Sequence, residues 1–232
     1  MNPFIIFLIE LFIVFLSSRY IFKFLFLFFL VLTKSQKVAI VCLSVIFFIG
    51  VVIHELSHMF TAEVLSVKTH GIEMIPELQN GKLKMGSVSV SKTDFVRAFL
   101  IGIAPLIIGC SIVISSLWFI QKTFTLHSVF SSFPAILITI FIMYLLFVIA
   151  NTMFSSKKDM EGAVELLIIF VVFEVGAFFV HVPVNQFIIS LASNSNFEKV
   201  MQEIDFLFAI PVGINLVSVL LFFSFFKKMR LA

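Results

Sequence analysis

Long apolar runs separated by short polar breaks occupy the chain from end to end. A helix that crosses a bilayer needs about 20 consecutive, mostly apolar residues. Its backbone hydrogen bonds must close within the segment, because lipid offers no partners. The pattern therefore predicts an all-α integral membrane protein, a polytopic bundle of about six transmembrane helices. The predicted spans cover residues 3–32, 38–65, 94–120, 134–151, 159–180 and 206–226.

The first apolar run is too long for one straight span, and Arg19 and Lys23 interrupt it. Two interpretations stay open: a span to about Ser18 followed by an interfacial helix, or one tilted span. The run lacks the basic amino-terminal region and the small-residue cleavage site of a secretory signal peptide. We therefore expect residues 1–33 to form a retained amino-terminal anchor.

The polar stretch between the second and third spans predicts a small β-hairpin loop over residues 72–90. Asn80-Gly81 is a strong tight-turn dipeptide, and apolar and polar residues alternate in the arm that follows it. The alternation changes phase at Gly86, which predicts a β-bulge there. Such a hairpin could simply cover the membrane surface, or its edge could pair with an extended peptide.

The composition excludes a water-soluble protein. Apolar residues make up 61% of the 232 residues and charged residues 12%, whereas soluble domains have about 45–50% and about 25%. A globule of this size could not bury so much apolar surface. A soluble enzyme or a nucleic-acid-binding protein is therefore excluded. We expect the lipid bilayer as a partner and no nucleic acid.

Small and sulfur-containing residues inside the spans are interpreted as packing positions. Cys42 and Cys110 lie in apolar runs and have neither the context of a disulfide framework nor that of a zinc site. Gly102, Pro105 and Gly109 in the third span predict close helix packing with a kink.

The distribution of basic residues predicts the orientation, because cytoplasmic loops of membrane proteins are enriched in Lys and Arg. Basic residues concentrate in the loop 68–97, at 157–158 and at 227–230, which the span count places on one side. The opposite side holds Lys34, Lys37, Lys122 and Lys199. We expect a multi-pass protein of a prokaryotic cell membrane whose hairpin loop and carboxyl terminus face the cytoplasm.

The second span carries His54-Glu55-Leu56-Ser57-His58. Residues four apart share a helix face, so both imidazoles can reach one metal ion. Glu55 is close enough to take a proton from a water that the metal activates. Two histidines and a glutamate in an apolar span are costly unless they meet a metal or a polar cavity. The alternative is a polar cluster that only packs helices together.

A zinc site of this kind needs a third protein ligand and an open position for water. Asp159 is the candidate, because it follows a polar break at the head of the fifth predicted span. The histidines lie near the far end of the second span, and two further spans return the chain to that side. In the alternative interpretation, Asp159 is not a ligand and merely starts a helix, where the helix dipole favours an acidic residue. The rival ligands are Glu161, Glu165 and Glu174.

Asn151 ends the fourth predicted span in an apolar context. Its amide could steady a substrate carbonyl or the developing oxyanion. It could equally bond backbone groups and cap the broken helix. The sequence leaves both interpretations open.

The motif of the second span, followed two spans later by Asn151 and by Asp159-x-x-Gly162, resembles the site-2 protease family of intramembrane zinc metalloproteases. The resemblance covers roughly residues 38–180. It implies one zinc ion held by His54, His58 and Asp159, with Glu55 as general base. It also implies cleavage of a peptide bond inside or beside the bilayer.

The second motif departs from that family. Its usual form is Asn-x-x-Pro followed by a Leu-Asp-Gly stretch, whereas here Phe154 occupies the proline position and Lys158 precedes the aspartate. The glycine comes three residues after the aspartate, at Gly162. No PDZ-like insertion is present in the sequence, so substrate choice would need another basis.

We therefore expect a single membrane domain, 1–232, with a metalloprotease core over 38–180 and a carboxyl-terminal span over 206–226. The expected activity is that of a zinc metalloendopeptidase acting on a membrane protein or a peptide at the membrane. One alternative is a protease whose third ligand is a glutamate. The other is a zinc-binding scaffold or transporter-like membrane protein without hydrolytic activity.

Overall fold

The computed structural model describes residues 3–73, 77–79, 82–84, 86–123, 133–154 and 195–228. Five helices in these residues are long and apolar enough to cross a membrane, by length and composition. This is one helix fewer than the prediction of about six, and the remaining predicted span, 159–180, lies outside the described residues. The helices are α1 (Pro3–Thr33), α2 (Gln36–Val64), α3 (Phe95–Thr123), α4 (Phe133–Thr152) and α5 (Ser195–Lys228).

Helix α1 runs without a break through Arg19 and Lys23, so the first predicted run forms one helix. Whether all of it spans the bilayer stays a prediction. Helix α5 begins at Ser195, well before the predicted start at residue 206. The prediction missed these first turns because it searched for apolar residues, whereas they are rich in polar and charged ones. Glu198 in the first turn favours a helix start there, since the amino-terminal end of the dipole attracts negative charge.

Large apolar side chains cover the outer faces of the helices. Phe60, Val64, Phe133, Phe206 and Leu221 are each more than 60% exposed. Soluble monomers rarely expose contiguous apolar patches of this kind. The surface is therefore consistent with a multi-pass protein surrounded by lipid.

The helices pack around two large clusters of buried apolar side chains, and a third, smaller cluster contains Ala62 of α2 and Ile101 of α3. One large cluster joins α1, α3, α4 and α5, and the other joins α1, α2 and α4. Helices α1 and α5 pack against each other, and α2 packs against α1, α3 and α4. The first cluster includes Val14, Val113, Leu146, Ile149 and Phe208, and the second includes Ile21, Leu43, Phe47 and Val148.

Helices α2 and α4 run side by side in the same direction. The Tyr144 hydroxyl donates to the carbonyl of Ile46 over 2.7 Å. Eight residues further along α4, the side chain of Thr152 lies against Gly50, where a Cβ atom would be 2.5 Å from the Thr152 Oγ1. This parallel arrangement agrees with the expectation that two crossings after α2 return the chain to the same side. The far end of α4 therefore lies about one helical turn before the level of His54.

A hairpin of four short strands connects α2 to α3. Strand β1 (Thr69–Glu73) pairs antiparallel with β4 (Ser87–Val90), and β2 (Glu77–Gln79) pairs antiparallel with β3 (Lys82–Lys84). The pairing of Gln79 with Lys82 leaves two residues between the inner strands. The turn predicted at these two residues, Asn80-Gly81, lies outside the described residues. The loop is thus a β-hairpin, as predicted.

The bulge predicted at Gly86 adjoins residues that lie outside the described ranges, so it stays a prediction. The register shift between β1 and β4 lies between Thr69 and Gly71. Gly71 has a φ of 147° there, a conformation that residues with a Cβ atom rarely adopt. Gly86 itself lies between β3 and β4, and its closeness to a side chain of α2 gives a different reason for a glycine.

Candidate metal centre

The last turns of α2 bring His54, Glu55 and His58 together inside the bundle. Their exposed fractions are 3%, 5% and 7%. The two imidazoles meet through their Nε2 atoms, which are 3.2 Å apart, with the ring planes 84° from each other. The i, i+4 spacing therefore produces the shared helix face that the sequence predicts.

The separation of the two Nε2 atoms suits a common metal ligand set. Zinc–nitrogen bonds are about 2.0–2.1 Å long, so two nitrogens at a tetrahedral angle lie about 3.3–3.4 Å apart. The observed 3.2 Å between the Nε2 atoms of His54 and His58 is close to that value. A neutral imidazole that turns Nε2 toward the other ring could equally form a hydrogen bond to it. The separation of the two Nε2 atoms is thus the one that a shared metal ion requires.

Helix α3 orients one of the two rings. The Nδ1 atom of His58 is 2.7 Å from the carbonyl oxygen of Ile101, and this contact is buried. A carbonyl oxygen only accepts hydrogen bonds, so Nδ1 of His58 carries the hydrogen. In the neutral ring Nε2 then bears the lone pair, which is the state that a metal ligand requires.

The hairpin lies directly against the predicted general base. A Cβ atom added to Gly86 would be 2.8 Å from the Glu55 Oε1, 3.1 Å from its Cγ and 3.0 Å from the Cγ1 of Val51. The backbone before β4 therefore packs closely on Glu55. The sequence places a glycine at this point but does not indicate which side chain approaches it.

The structure does not place the predicted third ligand. Asp159 and the rival residues Glu161, Glu165 and Glu174 lie outside the described residues. Within the ranges that the structure describes, no group of three or more His, Cys, Asp or Glu is arranged to hold a metal ion. The described chain ends at Phe154 after α4, close to the level of the histidines, and continues again at Ser195.

Asn151 belongs to a buried polar network. Its side-chain nitrogen donates to the carbonyl of Phe147 over 2.8 Å and to the Oδ1 of Asn215 over 2.9 Å. The Asn215 amide donates in turn to the Asn151 Oδ1 and to the Oγ of Ser17. The network joins α1, α4 and α5, so Asn151 would have to give up one of these bonds to contact a substrate. Its predicted role at a substrate carbonyl stays a prediction.

The two cysteines and Gly109 of α3 lie at packing positions. Cys42 and Cys110 are free thiols at partly buried positions, and the thiol of Cys110 contacts the Met153 sulfur at 3.9 Å. A Cβ atom at Gly109 would be 3.0 Å from the Met153 Cβ, so α3 and the end of α4 approach closely there. The close packing predicted for this part of α3 is thus present.

Comparisons with known proteins do not assign the chain to a family. No family model, no curated protein and no solved structure matches the chain. The resemblance to site-2 proteases therefore rests on the residues of the two motifs.

Proposed function

We propose that the chain is an intramembrane zinc metalloendopeptidase that cleaves membrane-embedded or membrane-adjacent protein substrates. One observation carries the proposal: the His54 and His58 Nε2 atoms lie 3.2 Å apart, buried in an apolar helix next to a buried Glu55. Ionisable residues in such a helix are costly and usually serve a function. A metal shared by the two imidazoles offsets that cost and gives Glu55 a role.

The zinc ligands, Glu55 and the hairpin have different roles in the proposed peptide hydrolysis. Zinc held by the two histidines and a third ligand would polarise the scissile carbonyl and make the attacking water more acidic. Glu55 takes the proton from that water and passes it to the leaving amine, so the peptide bond breaks without a free charge on nitrogen. Burial keeps bulk water away from the carboxylate. The substrate segment must be extended, because a helix shields its own carbonyls. The hairpin backbone beside Glu55 is suited to hold such a segment, since an extended peptide can pair with a strand edge.

The proposed third ligand is Asp159, at the head of the fifth predicted span, 159–180. Helix α4 ends beside α2 near the histidines, which supports a ligand soon after it. Asp159→Ala should lose zinc to a mild chelator that leaves the parent loaded, whereas Glu161→Ala should keep it. Glu161 is two residues on, about 200° around a helix, and should point away. Metal content of the purified variants decides; loss only in Glu161→Ala or Glu174→Ala moves the assignment.

Glu55→Gln tests the activity itself. The substitution keeps the size of the side chain and removes the base, so hydrolysis should fall by about 10²–10⁴-fold while zinc stays bound. Glu63→Gln is the matched control, because Glu63 is exposed on the same helix. The probes are dye-labelled casein in detergent and a mixture of dye-labelled single-span peptides in nanodiscs. Parent-level cleavage by Glu55→Gln contradicts the proposal.

A second candidate is a zinc-binding scaffold or transporter-like protein. A transporter should carry further acidic groups within the spans, and two lie between α1 and α5. The Glu10 Oε2 and the Asp205 Oδ1 are buried without a hydrogen-bond partner among the described residues. Zinc uptake into proteoliposomes that Asp205→Asn abolishes, together with no cleavage of either probe, would favour this candidate.

The proposed orientation places the active site toward the cytoplasm, because the basic residues concentrate in the loops on that side. Topology reporters fused in the Asn80-Gly81 turn and after Met229 should both report the cytoplasm. A reporter near Ser193 should report the opposite side. Different sides for the turn and the carboxyl terminus would contradict the proposed number of spans between them.

A further inference from the structure

The carbonyl that orients His58 has no regular partner in its own helix. In an α-helix the carbonyl of residue 101 accepts from the N–H of residue 105. Residue 105 is a proline inside α3 and has no N–H. The carbonyl oxygen of Ile101 is instead 2.7 Å from the Nδ1 of His58 on α2. One position in α3 therefore decides whether a backbone N–H of the same helix shares this acceptor with His58.

We propose that Pro105 is a positioning residue for the metal centre. By removing one backbone N–H, it leaves the Ile101 carbonyl free to hold Nδ1–H of His58 and turn Nε2 of His58 toward the metal position. The metal part of this inference rests on the proposed function. The effect of Pro105 on the tautomer of His58 does not, because it follows from the hydrogen bond alone.

Two physical effects act together at this position. The proline ring clashes with the carbonyl four residues earlier and tilts it away from the helix axis. Buried carbonyl groups also need a donor, and within the membrane region water is not at hand to supply one. Ile101 and His58 are only 6% and 7% exposed, so each satisfies the other. The bond holds the imidazole ring in one orientation and fixes which nitrogen keeps the lone pair.

Groups that orient a metal-bound histidine have a known scale of effect. Their loss typically weakens metal affinity or activity by about 10–100-fold. An N–H at residue 105 would compete with His58 for the Ile101 carbonyl. A ring released from that carbonyl could rotate or change tautomer, and Nε2 would then no longer be held 3.2 Å from the Nε2 of His54.

A pair of variants that differ only in this N–H separates the proposal from a general packing effect. Pro105→Ala introduces an amide N–H. Pro105→lactic acid, introduced by nonsense suppression, has the same methyl side chain but an ester oxygen in place of the N–H. Both variants lose the proline ring and its effect on the shape of α3. The same ester placed at Ile112, on α3 away from the histidines, controls for the weaker ester carbonyl.

Zinc affinity of the full chain in nanodiscs, measured by competition with a chelator, is the first readout. Pro105→Ala should bind zinc about 10–100-fold more weakly, and Pro105→lactic acid should stay close to the parent. Equal loss in both variants would mean that Pro105 acts through the shape of the helix. No loss in either, or loss only in the ester, would equally overturn the proposal.

Nitrogen-15 NMR of labelled histidine in the zinc-free protein is the second readout. The parent and the ester variant should show His58 with the hydrogen on Nδ1, and Pro105→Ala should shift it toward the other tautomer or a mixture. The same tautomer in all three proteins would refute the proposal. A parent that binds no zinc would refute the proposed function, while the NMR result would still judge the role of Pro105. If the parent binds zinc and both variants match it in zinc affinity and tautomer, only the proposed role of Pro105 is refuted.

Discussion

Gly50→Ala probes the contact that places the end of α4 beside the histidine helix. A Cβ atom at Gly50 would lie 2.5 Å from the Thr152 Oγ1, 2.8 Å from the Val148 carbonyl oxygen and 2.9 Å from the Thr152 Cγ2. Ordinary van der Waals contacts of a Cβ begin near 3.4 Å. The Thr152 hydroxyl already donates to the Val148 carbonyl over 2.8 Å, so rotating it away would lose a buried hydrogen bond. Part of the clash is with backbone, so α4 itself must move.

The cost should be that of overpacking, about 1–3 kcal/mol in the free energy of unfolding. Gly213→Ala is the matched control, because it is also within a helix and no described atom lies within 4 Å of its added Cβ. Alanine favours a helix over glycine by about 1 kcal/mol in both variants. This term cancels in the comparison, and the overpacking cost remains as the difference. A cost of 1–2 kcal/mol corresponds to about a 5- to 30-fold change in the folded-to-unfolded ratio.

Unfolding by dodecyl sulfate in mixed micelles measures this difference, followed by the fluorescence of Trp118, the single tryptophan. Gly50→Ala should unfold at a lower fraction of dodecyl sulfate than Gly213→Ala. Adding Thr152→Ala should restore only part of the loss, since the Val148 carbonyl oxygen remains in the way. Equal stability of the two glycine variants would refute the close packing of α2 and α4, and with it the argument that the chain after α4 begins near the metal centre.

Two further predictions concern the hairpin and the start of α3. Gly86→Ala should lower proteolytic activity more than stability, because the atom closest to its Cβ is the Glu55 Oε1, ahead of the core side chain of Val51; unchanged kcat would contradict this. The Asp94 carboxylate accepts a hydrogen bond from the backbone N–H of Arg97. This bond is the main reason why the pKa of Asp94 lies below the ordinary 3.8. Its capping of α3 should therefore be complete above pH 3.8 and disappear as the pH falls through the lower folded pKa. Protection of the Arg97 amide against hydrogen exchange, corrected for intrinsic rates, checks this; Asp94→Asn should lack the pH dependence.

The helices of this protein follow from local properties of the sequence. Bilayer thickness sets the length of a span, and apolarity is a property of each segment by itself. Asn80-Gly81 predicts a hairpin in the loop after α2, because such dipeptides favour tight turns. The shared face of His54 and His58 follows from helix geometry alone. The same local criterion failed at the start of α5, where a helix continues through polar residues.

Only the tertiary structure decided which groups meet across helices. Ser17 and Asn215 are 198 positions apart, and their hydrogen bond depends on how α1 packs against α5. The sequence predicts a bulge at Gly86 but does not show that the backbone there meets Glu55 of α2, because no local pattern encodes the approach of another element. The acceptor for His58 is the backbone carbonyl of Ile101. Pro105 indicates a carbonyl without its usual helix donor, but only the packing of α2 against α3 decides which side chain meets it. Chemistry that depends on side-chain spacing within one helix is thus readable from the sequence, whereas contacts between distant segments require the folded chain.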